Sequence, residues 1–230
     1  MKKLIWLLIP IFTLSCDPKD LEKLLEIPLT NADVARGLKE ALNLGVGESV
    51  DYLSALDGYY QSPYKILLPQ EARTVTDKLK VIPGFSNIES EIVKRINRSA
   101  EDAAKKAGPI FLDAITSISF DDAMNILMGE KNAATNYLNN ATYSALYSEF
   151  KPVVTSSLNK FNALEYWADA MNKYNSIPFV SKVNPDLADH VTNEALKGLF
   201  SLIEQKELGI RTDISQRSSD LLRKVFKKQD

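Results

Sequence analysis

The sequence predicts an all-α fold: a single domain of about ten helices, with at most one short two-stranded β element. Three observations carry this. Glycine is scarce, nine in 230 residues, and a glycine inside a helix costs about 1 kcal/mol relative to alanine. Apolar residues recur at spacings of three and four, the signature of one helix face. Extended runs of Val, Ile and Thr, the residues that favour strands, are absent. An apolar fraction of 45% that includes two Trp, nine Tyr and nine Phe excludes a disordered chain.

The chain opens MKKLIWLLIPIFTLSC. Lys2 and Lys3 form a basic head, Leu4 to Phe12 an apolar run broken only by Pro10, and Ser15 a small residue before Cys16. This is the layout of a secretion signal ending in a lipoprotein-type cysteine. A spanning helix needs roughly 20 apolar residues, so the run is too short to cross a membrane. Lipidation needs a thiol at the cleavage point, and Cys16 is the only cysteine. It has no disulfide partner within the chain, and acylation removes a reactive thiol from an oxidising compartment. Leu14 and Thr13 make a loose cleavage context. Ordinary cleavage after Ser15 and an uncleaved tether are the alternatives. The expected organisation is a signal over 1–15, a tether over 16–30 and a helical domain over 31–230.

Residues 31–43 read as the first helix, with Val34, Leu38, Ala41 and Leu42 on one face and Gly45 as its stop. Residues 48–57 repeat the pattern, with Gly58 behind. Tyr59 to Pro63 is turn material, and Tyr64 to Leu68 is the best strand candidate before Pro69. Its partner would be 179–183 or 209–213. Residues 70–81 read as a helix closed by Pro83-Gly84. Asn87 opens the longest run, with Ile88, Ile92, Ile96, Ala100, Ala103, Ala107 and Ile110 on one stripe. Gly108-Pro109 must kink or split it, because proline lacks the N–H and clashes with the preceding turn. Ser119 is a good N-cap for 120–128, with Asp122 at the third helical position and Gly129 as the stop. Helices over 131–139, 142–150 and 152–174 follow, the last with Val154, Leu158, Phe161, Leu164, Ala168 and Met171 on one stripe. Asn184-Pro185 caps the next, lined by Leu187, Val191, Ala195, Leu199 and Leu202 and stopped by Gly209. A final helix carries Leu221, Leu222, Val225 and Phe226. No repeat or long linker interrupts the series. A two-lobed arrangement hinged near Gly129 or Pro152 is the alternative to one domain.

Five stretches, in order, carry a resemblance: Gly37-Leu38-Lys39-Glu40-Ala41-Leu42; Ile66-Leu67-Leu68-Pro69; Asn97-Arg98-Ser99-Ala100-Glu101 with the alanines after it; Asp122-Ala123 through Gly129 to Ala133-Ala134-Thr135-Asn136-Tyr137; and Glu207-Leu208-Gly209-Ile210-Arg211 with the closing Val225-Phe226. Together they resemble a bacterial envelope family of unknown function, DUF4197, over nearly all of the chain after Cys16. Ser99 stands where alanine is expected. The resemblance implies a helical fold and a secretion or lipoprotein signal, and it lends no activity.

Charge and motifs exclude several chemistries. With 28 basic and 30 acidic residues the chain lacks the basic balance of a nucleic-acid binder. The local basic run, Arg223-Lys224 with Lys227-Lys228, reads first as favourable charge at a helix C-terminus. One His and one Cys do not make a zinc site, no segment has the ligand spacing of a calcium loop, and no Gly-rich phosphate loop is present. No cofactor is expected. His190 reads as a boundary histidine, with general base as the functional alternative. Ser62–Lys65 and Ser157–Lys160 match Ser-x-x-Lys about as often as chance predicts, without companion motifs.

The polar residues within the resembling stretches remain: Asn97, Glu101, Asp122, Thr135 and Arg211. They read first as caps or buried ties that fix helix packing. The functional alternative has Glu101, Asp122 and Arg211 converging on a pocket between helices, as a carboxylate hydrolase would need. The leading expectation is a binding or structural lipoprotein of the bacterial cell envelope, facing the periplasm or cell surface. Its partners would be the membrane, through the lipid on Cys16, and a small or lipid-like ligand or a protein.

Overall fold

The structure is a computed structural model that describes residues 29–69, 73, 88–160, 164, 167–168, 172, 175–176, 178–179, 182, 184 and 186–227. Cys16 and the helix expected over 70–81 lie outside the described residues, apart from Arg73. Among the described residues the chain is all-α, with no strand. Seven α-helices appear there, not ten: α1 (Asn31–Ser54), α2 (Ile88–Ala104), α3 (Ala107–Thr116), α4 (Phe120–Met128), α5 (Ala133–Asn159), α6 (Leu187–Thr212) and α7 (Asp220–Phe226), with a 3-10 turn at Ile214–Gln216.

Fusions account for much of the difference, and the helix expected over 70–81 lies outside the described residues. Gly45 lies inside α1 and does not stop it, so the two helices expected over 31–57 are one. Gly45 is buried with Leu42, Val46 and Ser49, and tertiary packing outweighs its propensity cost. The helices expected over 131–139 and 142–150 and the start of the one expected over 152–174 likewise run together as α5, which ends at Asn159. Pro152 sits inside α5 on its exposed side, while Phe150, Val154 and Leu158 on the opposite side are buried to within 1%. The lost backbone bond therefore faces water, and the buried stripe holds the helix through it. Phe161 and Met171 lie outside the described residues. Gly209 also fails as a stop, because α6 continues to Thr212. Its N-cap is Asp186, later than the expected Asn184-Pro185.

Other boundaries fall where expected. Thr30 and Ser119 cap α1 and α4 through reciprocal capping boxes with Asp33 and Asp122. Gly129 ends α4. The long run over 87–110 splits at Lys105-Lys106, leaving Gly108-Pro109 in the first turn of α3, where a missing N–H costs little.

The long helices α1, α2, α5 and α6 surround one core, and α3, α4 and α7 pack on them. The alanine face of α2 (Ala100, Ala103, Ala104) is fully buried, which permits close helix approach. Phe111 of α3 meets Phe200 of α6 edge-on at 5.8 Å, a favoured aromatic geometry. Residues 64–68 form no strand. Ile66 and Leu68 are buried. Of the two partners considered, 209–213 is the end of α6, and 180, 181 and 183 lie outside the described residues. The apolar alternation was real, but a side chain of α2 takes the place of a neighbouring strand.

Candidate functional site

That side chain is Asn97. It is fully buried on α2. Its Oδ1 accepts from Ile66 N at 2.8 Å, and its Nδ2 donates to Ile66 O at 2.8 Å and to Val93 O at 2.7 Å. A single amide thus satisfies both backbone groups of Ile66, as a β-ladder would. One turn on, Glu101 is 3% exposed. Its Oε1 accepts from Tyr59 N at 3.3 Å and Tyr60 N at 3.2 Å, and its Oε2 from Arg98 Nη1 at 2.6 Å. Arg98 Nη2 reaches Asp57 Oδ1 at 2.6 Å. Asp57 adopts φ 69°, the left-handed region that asparagine and aspartate tolerate better than most residues. Tyr59 is fully buried and its hydroxyl donates to Ala195 O at 2.8 Å. Burial and the charge of Glu101 push its ionisation far up, so the phenol stays protonated. Asn97, Arg98 and Glu101 together clamp the irregular segment 57–68 onto α2.

A second cluster joins three helix ends. On α6, Glu207 and Arg211 lie one turn apart, 8% and 5% exposed. Glu207 Oε1 accepts from Ala134 N at 3.0 Å, and Oε2 from Thr135 N and Thr135 Oγ1, both at 2.8 Å. The two N–H groups belong to the first turn of α5 and have no intrahelical partners. Asn132, at the N-cap of α5, supplies no side-chain cap; Glu207 supplies it from another helix. Arg211 works at the opposite pole. Its Nη2 and Nη1 donate to Ile126 O (2.8 Å) and Leu127 O (3.1 Å) in the last turn of α4, and Nε to Glu207 Oε1 at 2.9 Å. A carboxylate thus meets a helix N-terminus and a guanidinium meets a helix C-terminus, each with the sign the helix dipole favours. Arg217, 1% exposed, repeats the second arrangement by donating to Ile210 O and Arg211 O at the end of α6.

Asp122 belongs to neither cluster. Its Oδ2 accepts from Ser119 Oγ at 2.6 Å as the capping-box partner of α4. Glu101, Asp122 and Arg211 therefore sit in three separate hydrogen-bond sets, and the convergence a carboxylate hydrolase needs is not built. The cavity beside Glu207 and Arg211, walled by Leu38, Ala41, Ile203 and Phe226, has about 20 Å³, the scale of one water molecule.

Two other candidates are likewise committed to structure. His190 Nε2 lies 3.0 Å from Leu67 O and donates to it. Ser62 Oγ bonds Tyr59 O and Tyr64 N within its own turn, while Lys65 lies over the Tyr60 ring rather than against Ser62. Among the described residues no cluster of His, Cys, Asp and Glu is arranged to hold a metal, and no helix is long and apolar enough to cross a membrane.

Asn97, Glu101, Thr135 and Arg211 are ties, while Glu207, the hub of the second cluster, is not among the residues expected from the sequence. Its signal was present: an acid four residues ahead of an arginine on one helix face, opposite a helix start that lacks a capping side chain.

Such a molecule is a helical domain whose motif polar groups join helix ends. The chain belongs to the family described as "Protein of unknown function (DUF4197)", whose model matches residues 28–227. No curated protein and no solved structure matches it.

Proposed function

We propose that this chain is a non-catalytic module of the bacterial envelope, tethered through a lipid on Cys16 and acting by binding or by structure. One observation carries the second half of this reading. Asn97, Glu101, Asp122, Thr135 and Arg211 each spend their hydrogen-bonding capacity on backbone or side chains of the same chain. A catalytic acid or base must reach a substrate within about 3 Å, and the cavity beside Arg211 admits none. The first half rests on the leader: a basic head, a short apolar run and one cysteine after Ser15. A binding role would use the surface of the domain, with a small or lipid-like ligand or a protein as partner.

Mass spectrometry of the protein taken from cell membranes tests the tether. The expected N-terminus is an acylated Cys16, and Cys16→Ala should move the protein to the soluble fraction. An unmodified N-terminus with unchanged fractionation would overturn it. A Glu101→Gln or Asp122→Asn variant of unchanged stability that loses a cellular phenotype would instead favour a site.

A further inference from the structure

We infer that the end of the domain where α7 lies against the first turns of α1 faces the membrane and docks on anionic lipid through Lys224 of α7 and Lys227 just after it. This rests on the reading that Cys16 anchors the chain. Two independent features meet at that end. The first is where the tether arrives. Thr30 caps α1, so residues 16–30 join the domain there, and a tether of that length spans at most roughly 50 Å. The second is charge. Arg223-Lys224-Val225-Phe226-Lys227-Lys228 places four basic residues in six. Val225 and Phe226 are buried, which leaves Arg223, Lys224 and Lys227 exposed.

The packing brings the two features together. A Cβ on Gly37 would lie 2.6 Å from Val225 Cγ2 and 3.4 Å from the Leu221 side chain, so α7 presses on α1 within two turns of Thr30. The acidic groups of the two first turns are already engaged: Asp33 pairs with Arg36 and Asp220 with Arg223, at 2.9 and 2.6 Å. Lys224 lies close enough to help hold the Asp33 carboxyl below its ordinary range, after the Thr30 hydrogen bonds and Arg36. Glu40, one turn beyond Arg36, is a further acidic group on α1. Exposed lysines at the end where a membrane anchor arrives are what an anionic headgroup surface attracts, at roughly fivefold in partitioning for each lysine held there.

The test uses the full lipidated chain, purified from membranes and placed in vesicles of phosphatidylcholine with or without phosphatidylglycerol. A fluorophore is attached at Ala32→Cys, beside the tether, or at Leu56→Cys, beyond the far end of α1. Both positions are exposed, and α1 separates them by about 36 Å. A headgroup quencher should dim the Ala32 label and spare the Leu56 label, only with phosphatidylglycerol and only at low salt. Lys224→Glu/Lys227→Glu should abolish the difference, and the milder Lys224→Gln/Lys227→Gln should reduce it, with melting temperature as the control for folding. Equal quenching at both positions, or no dependence on phosphatidylglycerol or salt, would overturn the inference.

Flotation separates this from the tether. Protein that floats with neutral vesicles but shows no oriented quenching refutes the docking face alone. Protein that floats only with anionic vesicles, and loses at least tenfold in partitioning on Lys224→Glu/Lys227→Glu, supports the face and refutes the lipid. Flotation with neither refutes both.

Discussion

Glu207 shows how much one side chain can hold. It accepts three hydrogen bonds from the first turn of α5 and one from Arg211, all in the protein interior. Removing one partner of a buried pair leaves the other charge without compensation, which costs about 3–5 kcal/mol. Urea titration of Glu207→Ala should show a loss in that range. Glu207→Leu/Arg211→Met should lose less than the two single variants combined, because no charge is then stranded. Glycines make a second contrast at this scale. Gly37→Ala must push against Val225 Cγ2 and should destabilise. Gly47 is exposed, with nothing within 4 Å of an added Cβ, so Gly47→Ala should gain about 0.5–1 kcal/mol from helix propensity alone. Equal effects at the two positions, read from thermal midpoints, would show that the contact with α7 is not made as described.

Among the elements, the segment 57–68 is the least regular and the most dependent on its partner. Two of its backbone N–H groups end on Glu101, and both polar groups of Ile66 end on Asn97. Hydrogen exchange should show Ile66 protected in the wild type. In Asn97→Leu that protection should fall selectively, with α5 and α6 little changed. Unaltered exchange at Ile66 would contradict the clamp. This segment also marks where the sequence was misleading. Alternation of apolar residues in Tyr64 to Leu68 is real, but nothing local tells a strand from an irregular segment whose backbone groups are met by an asparagine on a helix. The capping box of α4 is legible in the sequence because Ser119 and Asp122 lie three residues apart. The cap of α5 is not, because its carboxylate lies 72 residues away. Helix fusions at Gly45 and Pro152 were hidden for a related reason: breaker residues act through local propensity, and the buried stripes that override them are tertiary.

For the whole molecule, α5 and the start of α6 are joined by Lys151, Tyr147, Asp186 and Asp189. Burial raises the Asp186 carboxyl, but Lys151 and the backbone N–H groups of Asp189 and Ala188 outweigh it and leave the pKa lowered. Asp33, Asp213 and Asp220 are lowered too, chiefly by hydrogen bonds. A carboxylate whose folded pKa lies below its unfolded value near 3.9 contributes stability above that value and loses it as pH falls further. The urea midpoint should therefore change little on this account between pH 5 and 7 and drop below about pH 4. Lys151→Met should shrink that drop. A variant with an unchanged acid profile would show that Lys151 does not hold Asp186.

In the proposed reading, the polar residues of the family motifs tie the fold together rather than form an active site. The most direct measurement is urea unfolding of Glu101→Gln beside wild type. Glu101 is buried and linked to Tyr59, Tyr60 and Arg98, so the expected loss is about 1–3 kcal/mol. A Glu101→Gln protein as stable as wild type would contradict it.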